Sequence, residues 1–295
     1  MRTYNVKLAV IFSLLAALLF ALSGVVIKLL SEVVPNEMIV FFRQLFALLF
    51  LLPIIIGRKG RASLKPHRNI PLYLLRTFAS LAAMYCLVYA IKYLSLVDAL
   101  LLSYTRALFM PLIVFLWFGK RPPSHVWWGL LVGFAGVACI LKPSNEVFDI
   151  AALVGVASGL FGAVAFSAVR RLTKTEFPTK IMLYYLLLSI PITAVPLARS
   201  WIWLDKRFWL ALVLLGFIGV IYQYMLTKAY EHAKGPQVAS VLYSTVIFAA
   251  FFDWIFWKEA LDGYAVLGIG AVIAGSLIAL GLFSRGGPKI NGNFH

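Results

Sequence analysis

Arg106 stands near the middle of VDALLLSYTRALFMPLIVFLW (97–117), a run apolar enough to cross a bilayer. About nine residues flank it on either side, which at ~1.5 Å per residue leaves its stem roughly 14 Å from each end. A cation at that depth costs about 2.5–3.5 kcal/mol on insertion scales. A guanidinium is a planar fork of donors that matches a carboxylate bidentately. The functional reading is therefore that Arg106 faces a wet cavity and meets an anionic group of a solute. The structural alternative is a contact with a carbonyl or acid that fixes helix packing.

Other polar groups lie at similar depth. Tyr85, Tyr89, Ser103, Tyr104 and Thr105 fall in the first half of the chain, and Tyr222, Gln223, Tyr243, Ser244 and Thr245 in the second. Each hydroxyl taken alone is more often a backbone or interhelical contact. As a set they converge on two matching stretches, LLSYT (101–105) and VLYST (241–245), with Val246 where Arg106 would be. Ser103 with Tyr243, Tyr104 with Ser244 and Thr105 with Thr245 are then equivalent positions of one shared pocket. Tyrosines there stack on planar or aromatic solutes. Asp253 is the one acid within an apolar segment. It is read as a packing or interface residue, and it is the carboxylate available for proton coupling. Arg76 and Lys28 lie near helix ends and are read as snorkelling to the interface, with gating or coupling as the other role for Arg76. Arg43 is read as a packing or helix-end contact. Pro111 and Pro236 are candidate bends in the fourth and ninth helices, with a part in gating.

The elements that must position these residues follow from composition. Of 295 residues 62% are hydrophobic and 13% charged, against about half and a quarter in a soluble domain. That excess belongs to a polytopic membrane protein. The net charge of +16 is read as loop lysine and arginine, not as a nucleic-acid surface. Cys86 and Cys139 both lie in apolar runs and form no disulfide framework. The first apolar run is too long for a signal peptide and is read as a retained span. Apolar windows give ten helices at 8–30, 37–56, 71–91, 96–118, 124–141, 148–169, 180–198, 208–228, 235–257 and 261–283. Seventeen lysines and arginines fall on one side of this layout and six on the other, with Lys28, Arg43, Arg76 and Arg106 inside the spans. The bias places both termini in the cytoplasm. Trp127, Trp128, Trp201, Trp203, Trp209 and Trp257 fall at helix ends as an aromatic belt.

The halves repeat. Pro35 and Pro53 match Pro178 and Pro196, and Gly129 and Gly136 match Gly268 and Gly275. The chain divides into 1–145, 146–284 and a cytoplasmic tail, 285–295. Five helices per half is an odd number, so the second half enters from the opposite side as an inverted repeat. Gly129 with Gly133 and Gly155 with Gly159 are GxxxG pairs read as close helix packing.

FFRQLFALLFLLP (41–53), YAIKYLSLVDALLL (89–102) followed by Pro111, WGLLVGFAGVACIL (128–141), YEHAKGPQVASVL (230–242) and LGIGAVIAGSLIAL (267–280) resemble the EamA family of the drug/metabolite transporter superfamily. The resemblance covers nearly the whole chain. It implies a ten-helix carrier for amino acids or other small metabolites in the bacterial inner membrane. The acid usual after the fourth helix is Arg121 here, while Glu259 keeps it in the second half.

The expected function is a secondary transporter of an amino acid or related carboxylate-bearing solute, working by alternating access. The alternative cargo is a planar vitamin or nucleoside-like metabolite such as riboflavin or S-adenosylmethionine. No P-loop for ATP and no filter-like loop is present. An intramembrane enzyme needs HExxH, paired aspartates or a Ser–His set, and His67, His125, His232 and His295 all fall at loops or ends. No cofactor or metal is implied. The expected partners are a small-molecule substrate and membrane lipid, with no nucleic acid; oligomeric state is left open.

Overall fold

The computed structural model describes residues 6–57, 69–119, 124–141, 150–173, 175–176, 178–232, 238, 241–258 and 263–279. Position 236, the 118–121 and 256–259 helix ends in part, and the tail at 285–295 lie outside the described residues. The helices are α1 (Val6–Ser31), α2 (Asn36–Gly57), α3 (Ile70–Tyr93), α4 (Leu96–Tyr104), α5 (Arg106–Phe118), α6 (Ser124–Leu141), α7 (Ile150–Leu172), α8 (Pro178–Leu197), α9 (Lys206–His232), α10 (Ser244–Phe256) and α11 (Gly263–Ala279). Except at their end turns, helices satisfy their backbone donors and acceptors within one segment, as a lipid surrounding demands. Among the described residues seven segments are long and apolar enough to cross a membrane, counting α4 with α5 as one. Ser124–Cys139, Ser244–Phe256 and Val266–Gly275 are apolar but shorter. Large apolar side chains face outward all along the molecule, among them Ile11, Phe78, Leu116, Leu210 and Ile247. Such an exterior suits lipid and would aggregate in water.

The single helix expected over 96–118 is broken. Thr105 donates its backbone N–H to the Leu102 carbonyl at 3.2 Å, and Leu108 donates to the Thr105 carbonyl at 2.8 Å, a tightened turn between α4 and α5. The break falls at Thr105 and not at Pro111, which lies within α5. Two hydroxyls reinforce the turn from within: Ser103 Oγ donates to the Leu100 carbonyl at 2.7 Å and Thr105 Oγ1 to the Leu102 carbonyl at 2.5 Å. Tyr243 makes a matching turn before α10, where Val246 N–H meets the Tyr243 carbonyl at 3.0 Å. The cause of the first break lies in α7. A Cβ placed on Gly159 would sit 2.9 Å from the Leu102 carbonyl oxygen and 3.1 Å from Arg106 N. Bare backbone therefore presses into the turn, which Gly alone permits.

Glycine contact also sets α6 against α11. A Cβ on Gly136 would meet the Gly268 carbonyl at 2.8 Å, and one on Gly275 would meet the Gly129 carbonyl at 2.5 Å. The early glycine of each helix thus faces the late glycine of the other, so α6 and α11 run antiparallel. Elsewhere α1 packs on α9 and α10, α3 on α7 and α8, α5 on α7, and α2 on α8 and α9.

One end of the bundle is packed solid. Ile27, Leu30, Met38, Ile39, Ile91 and Leu96 are each at most 2% exposed there, and Phe42 and Trp209 meet edge to face at 4.7 Å. Trp209 and Trp257 therefore belong partly to the interior, a correction to the belt expected of all six tryptophans; Trp127, Trp128, Trp201 and Trp203 are exposed. The other end is open.

Candidate functional site

A cavity of about 460 Å³ enters the bundle from the end where α2, α7 and α9 finish and α3 and α8 begin. Tyr73 of α3, Leu172 of α7 and Ile181 of α8 pack together at that end. Inward from there the lining reaches Phe20, Ser103 and Gly219, about midway through α1, the α4–α5 segment and α9, and passes the midpoints of α2, α3 and α7 as far as Arg43, Leu87 and Ser158. The cavity is a one-ended pocket.

Arg106 stands at its depth, half-buried. Its guanidinium carbon lies 4.5 Å from the Tyr104 ring centroid, 5.0 Å from Phe166 and 6.0 Å from Phe20. Ring faces stabilise the cation at that depth. Phe20 in turn stacks on Tyr222 at 5.2 Å. Gly162 makes room for the stem, since a Cβ there would touch Arg106 Cβ and Cδ at 3.7 Å.

Among the described residues three more cations line the cavity: Arg43 from α2, Arg76 from α3 and Lys228 from α9. Arg76 Nη1 donates to Ser80 Oγ at 3.3 Å, and its guanidinium covers the Tyr185 ring at 4.0 Å. Gln44 Nε2 donates to the Tyr185 hydroxyl, and Arg43 Nη1 reaches Met84 Sδ. No Asp or Glu occurs among the described lining residues. The walls are apolar or aromatic, with cations and neutral hydrogen-bonding groups set into them. Such an arrangement attracts anions and holds an organic body against ring faces.

The polar set expected to share one pocket is divided. Ser103, Arg106 and Gln223 line the cavity. Tyr104 lies behind Arg106, with its hydroxyl 2.9 Å from Thr245 Oγ1 and its ring 5.5 Å from that of Tyr243. Thr105 serves the helix break. Tyr85, Tyr89, Tyr243, Ser244 and Thr245 are outside the lining, and Tyr89 packs on Tyr93 at 4.8 Å. The reason is helical phase: of three consecutive residues such as 103–105, only one or two face any one wall.

Arg43 and Arg76 correct the sequence reading in the other direction. Both turn into the cavity, where packing and snorkelling were expected. The signal was present, as cations inside apolar spans, but one helix cannot tell a lipid-facing arginine from one facing inward. Gln44, Tyr185, Phe166 and Ser158 were not singled out, and no spacing marked them. Pro111 does not interrupt its helix.

Lys28 and Asp253 lie away from the cavity, at the packed end. Lys28 is only 8% exposed and does not snorkel. Its Nζ lies 3.3 Å from Asp253 Oδ1 and 4.4 Å from the centroid of the Trp257 ring. Asp253 Oδ2 accepts the Val97 N–H at 2.9 Å, so the same carboxylate satisfies a free donor in the first turn of α4. Ser95 caps that helix as well, accepting from Asp98 N–H at 3.0 Å. One acid therefore ties α1, α4 and α10 together.

A basic, one-ended cavity within a bundle of apolar helices is the shape of a solute carrier, and comparison with known proteins agrees. The pattern of the EamA-like transporter family matches residues 7–142 and again residues 149–281. The chain belongs to the EamA-like transporter family. A relative described as the pseudopaline exporter CntI of Pseudomonas aeruginosa (strain UCBPP-PA14) is 31% identical over 95% of this chain and 98% of its own length. A riboflavin transporter of Rhizobium johnstonii is 28% identical, over 92% of this chain and 90% of its own length. Human solute carrier family 35 member G1 is 26% identical, over 92% of this chain and 78% of its own length. A crystal structure sharing 18% identity superposes with a TM-score of 0.68, covering 95% of this chain and all of that one. That likeness concerns the fold. EamA-like proteins of this kind are membrane transporters, and this chain is one, with a small molecule as its cargo.

Proposed function

We propose that the chain is a secondary transporter that moves a small carboxylate-bearing metabolite, an amino acid or a related solute, across the bacterial inner membrane by alternating access. The observation that carries this reading is Arg106 at the blind end of a cavity with no acid among its described lining residues. Ten spans in two inverted halves, 1–145 and 146–284, supply the mechanism. Three facts support that arrangement. The family pattern matches twice. The α6 and α11 helices, equivalent by their glycines, run antiparallel. Interhelix contacts also come in exchanged pairs, α1 on α9 with α7 on α3, and α1 on α10 with α7 on α5.

The open end lies where lysine and arginine predominate in the loops, so the mouth faces the cytoplasm, as do both termini. Lys28 and Asp253 belong to the closed, outer end. Asp253 takes part in gating by holding that end shut until the halves rock. Uptake or counterflow of labelled amino acids and small carboxylates in proteoliposomes tests the reading. Arg106→Gln lowers transport by tenfold or more while its unliganded melting temperature stays near the parent's. Unchanged transport in that folded variant overturns the binding role. A second cargo, planar and uncharged, is favoured by Phe20, Phe166, Tyr185 and Tyr222 in the walls. Riboflavin transport indifferent to Arg106→Gln selects that reading.

A further inference from the structure

The cavity carries its cations on different walls and at different depths. Arg106 meets α7 beside Gly162. Arg76 follows one turn after Tyr73, which packs with Val169 and Leu172 near the mouth. Gly162 and Val169 are about 10 Å apart along the axis of α7, at ~1.5 Å per residue. Arg76 therefore springs from a level nearer the mouth, and the ring under it, Tyr185, is none of the three around Arg106.

Arg76 and Arg43 are gathered around Tyr185. Arg76 lies over its ring, and Gln44, the neighbour of Arg43, holds its hydroxyl. The α3 wall presents Arg76, Ser80 and Met84 on consecutive turns, and the two arginines rest on the last two of these. Among the described residues their acceptors are poor for full charges: a hydroxyl, a thioether sulfur and a ring face. Arg76 Nε is buried with no hydrogen-bond acceptor among the described residues. A buried donor without a partner is costly, and a buried cation without a counterion more so. A Cβ on Gly219 would stand 3.9 Å from Arg43 Nε, so the bare backbone of α9 approaches the guanidinium there.

We infer that Arg43 and Arg76 form a second anion subsite, and that the cargo carries at least two anionic groups several bonds apart, one held by Arg106 and one by the Arg43–Arg76 pair. This rests on the carboxylate-carrier reading and sharpens it from a monoanion to a di- or polycarboxylate class. Fork donors on both partners favour carboxylate geometry at each end, and Tyr185, Phe166 and Phe20 flank the organic body between them.

The test is binding to the purified full chain, by calorimetry and thermal shift. The probes are α,ω-dicarboxylates from succinate to pimelate, each set against the monocarboxylate of equal length. At least one dicarboxylate binds tenfold or more tightly than its monocarboxylate counterpart. Arg43→Gln and Arg76→Gln each weaken that dicarboxylate about ten- to a hundredfold, the loss expected for hydrogen bonds to a charged group. Both weaken the matching monocarboxylate less than the dicarboxylate, so the dicarboxylate preference falls in each variant. Arg76→Lys keeps the charge and loses the fork, and it must also lower the dicarboxylate preference, so the test stands if a glutamine variant fails to fold. If the two series bind equally and both are lost in Arg106→Gln, the second subsite is overturned and the carboxylate carrier survives. If neither series binds, both readings fall.

Discussion

At the residue scale the decisive feature is how each intramembrane charge is answered. Lys28 and Asp253 answer each other, and Asp253 also answers the Val97 N–H. Breaking a buried pair by removing one partner leaves an uncompensated charge and costs about 3–5 kcal/mol. Lys28→Met is accordingly expected to lower the melting temperature of the purified protein sharply, with Lys28→Met/Asp253→Leu recovering part of the loss. Recovery stays incomplete because the double variant still lacks the acceptor for Val97. Equal, small effects in the single and double variants would contradict the pairing. The exceptional nature of these residues was legible in the sequence, since four cations and one acid inside apolar spans are rare. Their partners were not: Lys28 and Asp253 are 225 positions apart, and no local pattern joins them.

At the element scale the broken fourth helix organises the site. Its turn at Thr105 is packed by Gly159, and Arg106 opens the next helix with Gly162 beside it. Overpacking a close contact of this kind costs about 1–3 kcal/mol. Gly159→Ala should therefore lower the melting temperature and disturb Arg106 with it. Gly270 in α11 has nothing within 4 Å of an added Cβ, and Gly270→Ala should be neutral or gain up to about 1 kcal/mol from helix propensity. Similar melting temperatures for the two alanine variants would rule out the close approach. Most of the helices were legible from apolar windows, and Gly155 with Gly159 was legible as a contact motif. The location of the break was not, because proline is the visible breaker and Pro111 drew the expectation. Here a tertiary neighbour bends the chain, with Ser103 and Thr105 bonding carbonyls at the turn.

At the scale of the whole molecule the two ends differ, and the proposed alternating access needs that difference. With Cys86 and Cys139 replaced by serine, Thr179→Cys reports on the open end and Trp203→Cys, at a position 90% exposed, on the far side. A membrane-impermeant maleimide added to intact cells should label Trp203→Cys and spare Thr179→Cys until the membrane is broken. The reverse pattern would turn the carrier upside down. Labelling of Ile39→Cys from outside should rise when cargo drives the halves to the other state. That position is fully buried now.

What the amino-acid order decided by itself was the class: a polytopic helical membrane protein with a repeated plan and arginines too deep for chance. Hydropathy, loop charge and the spacing of prolines and glycines are local or periodic quantities, and they survive being read in one dimension. What only the folded chain decided was which face of each helix turns inward. Rotation about a helix axis is set by the neighbours it packs against, and in an apolar span nearly every face looks alike to the sequence. That is why Arg43 and Arg76 joined Arg106 in the cavity, while Tyr104, Tyr243 and Thr245, its close companions in the pattern, ended up behind its wall.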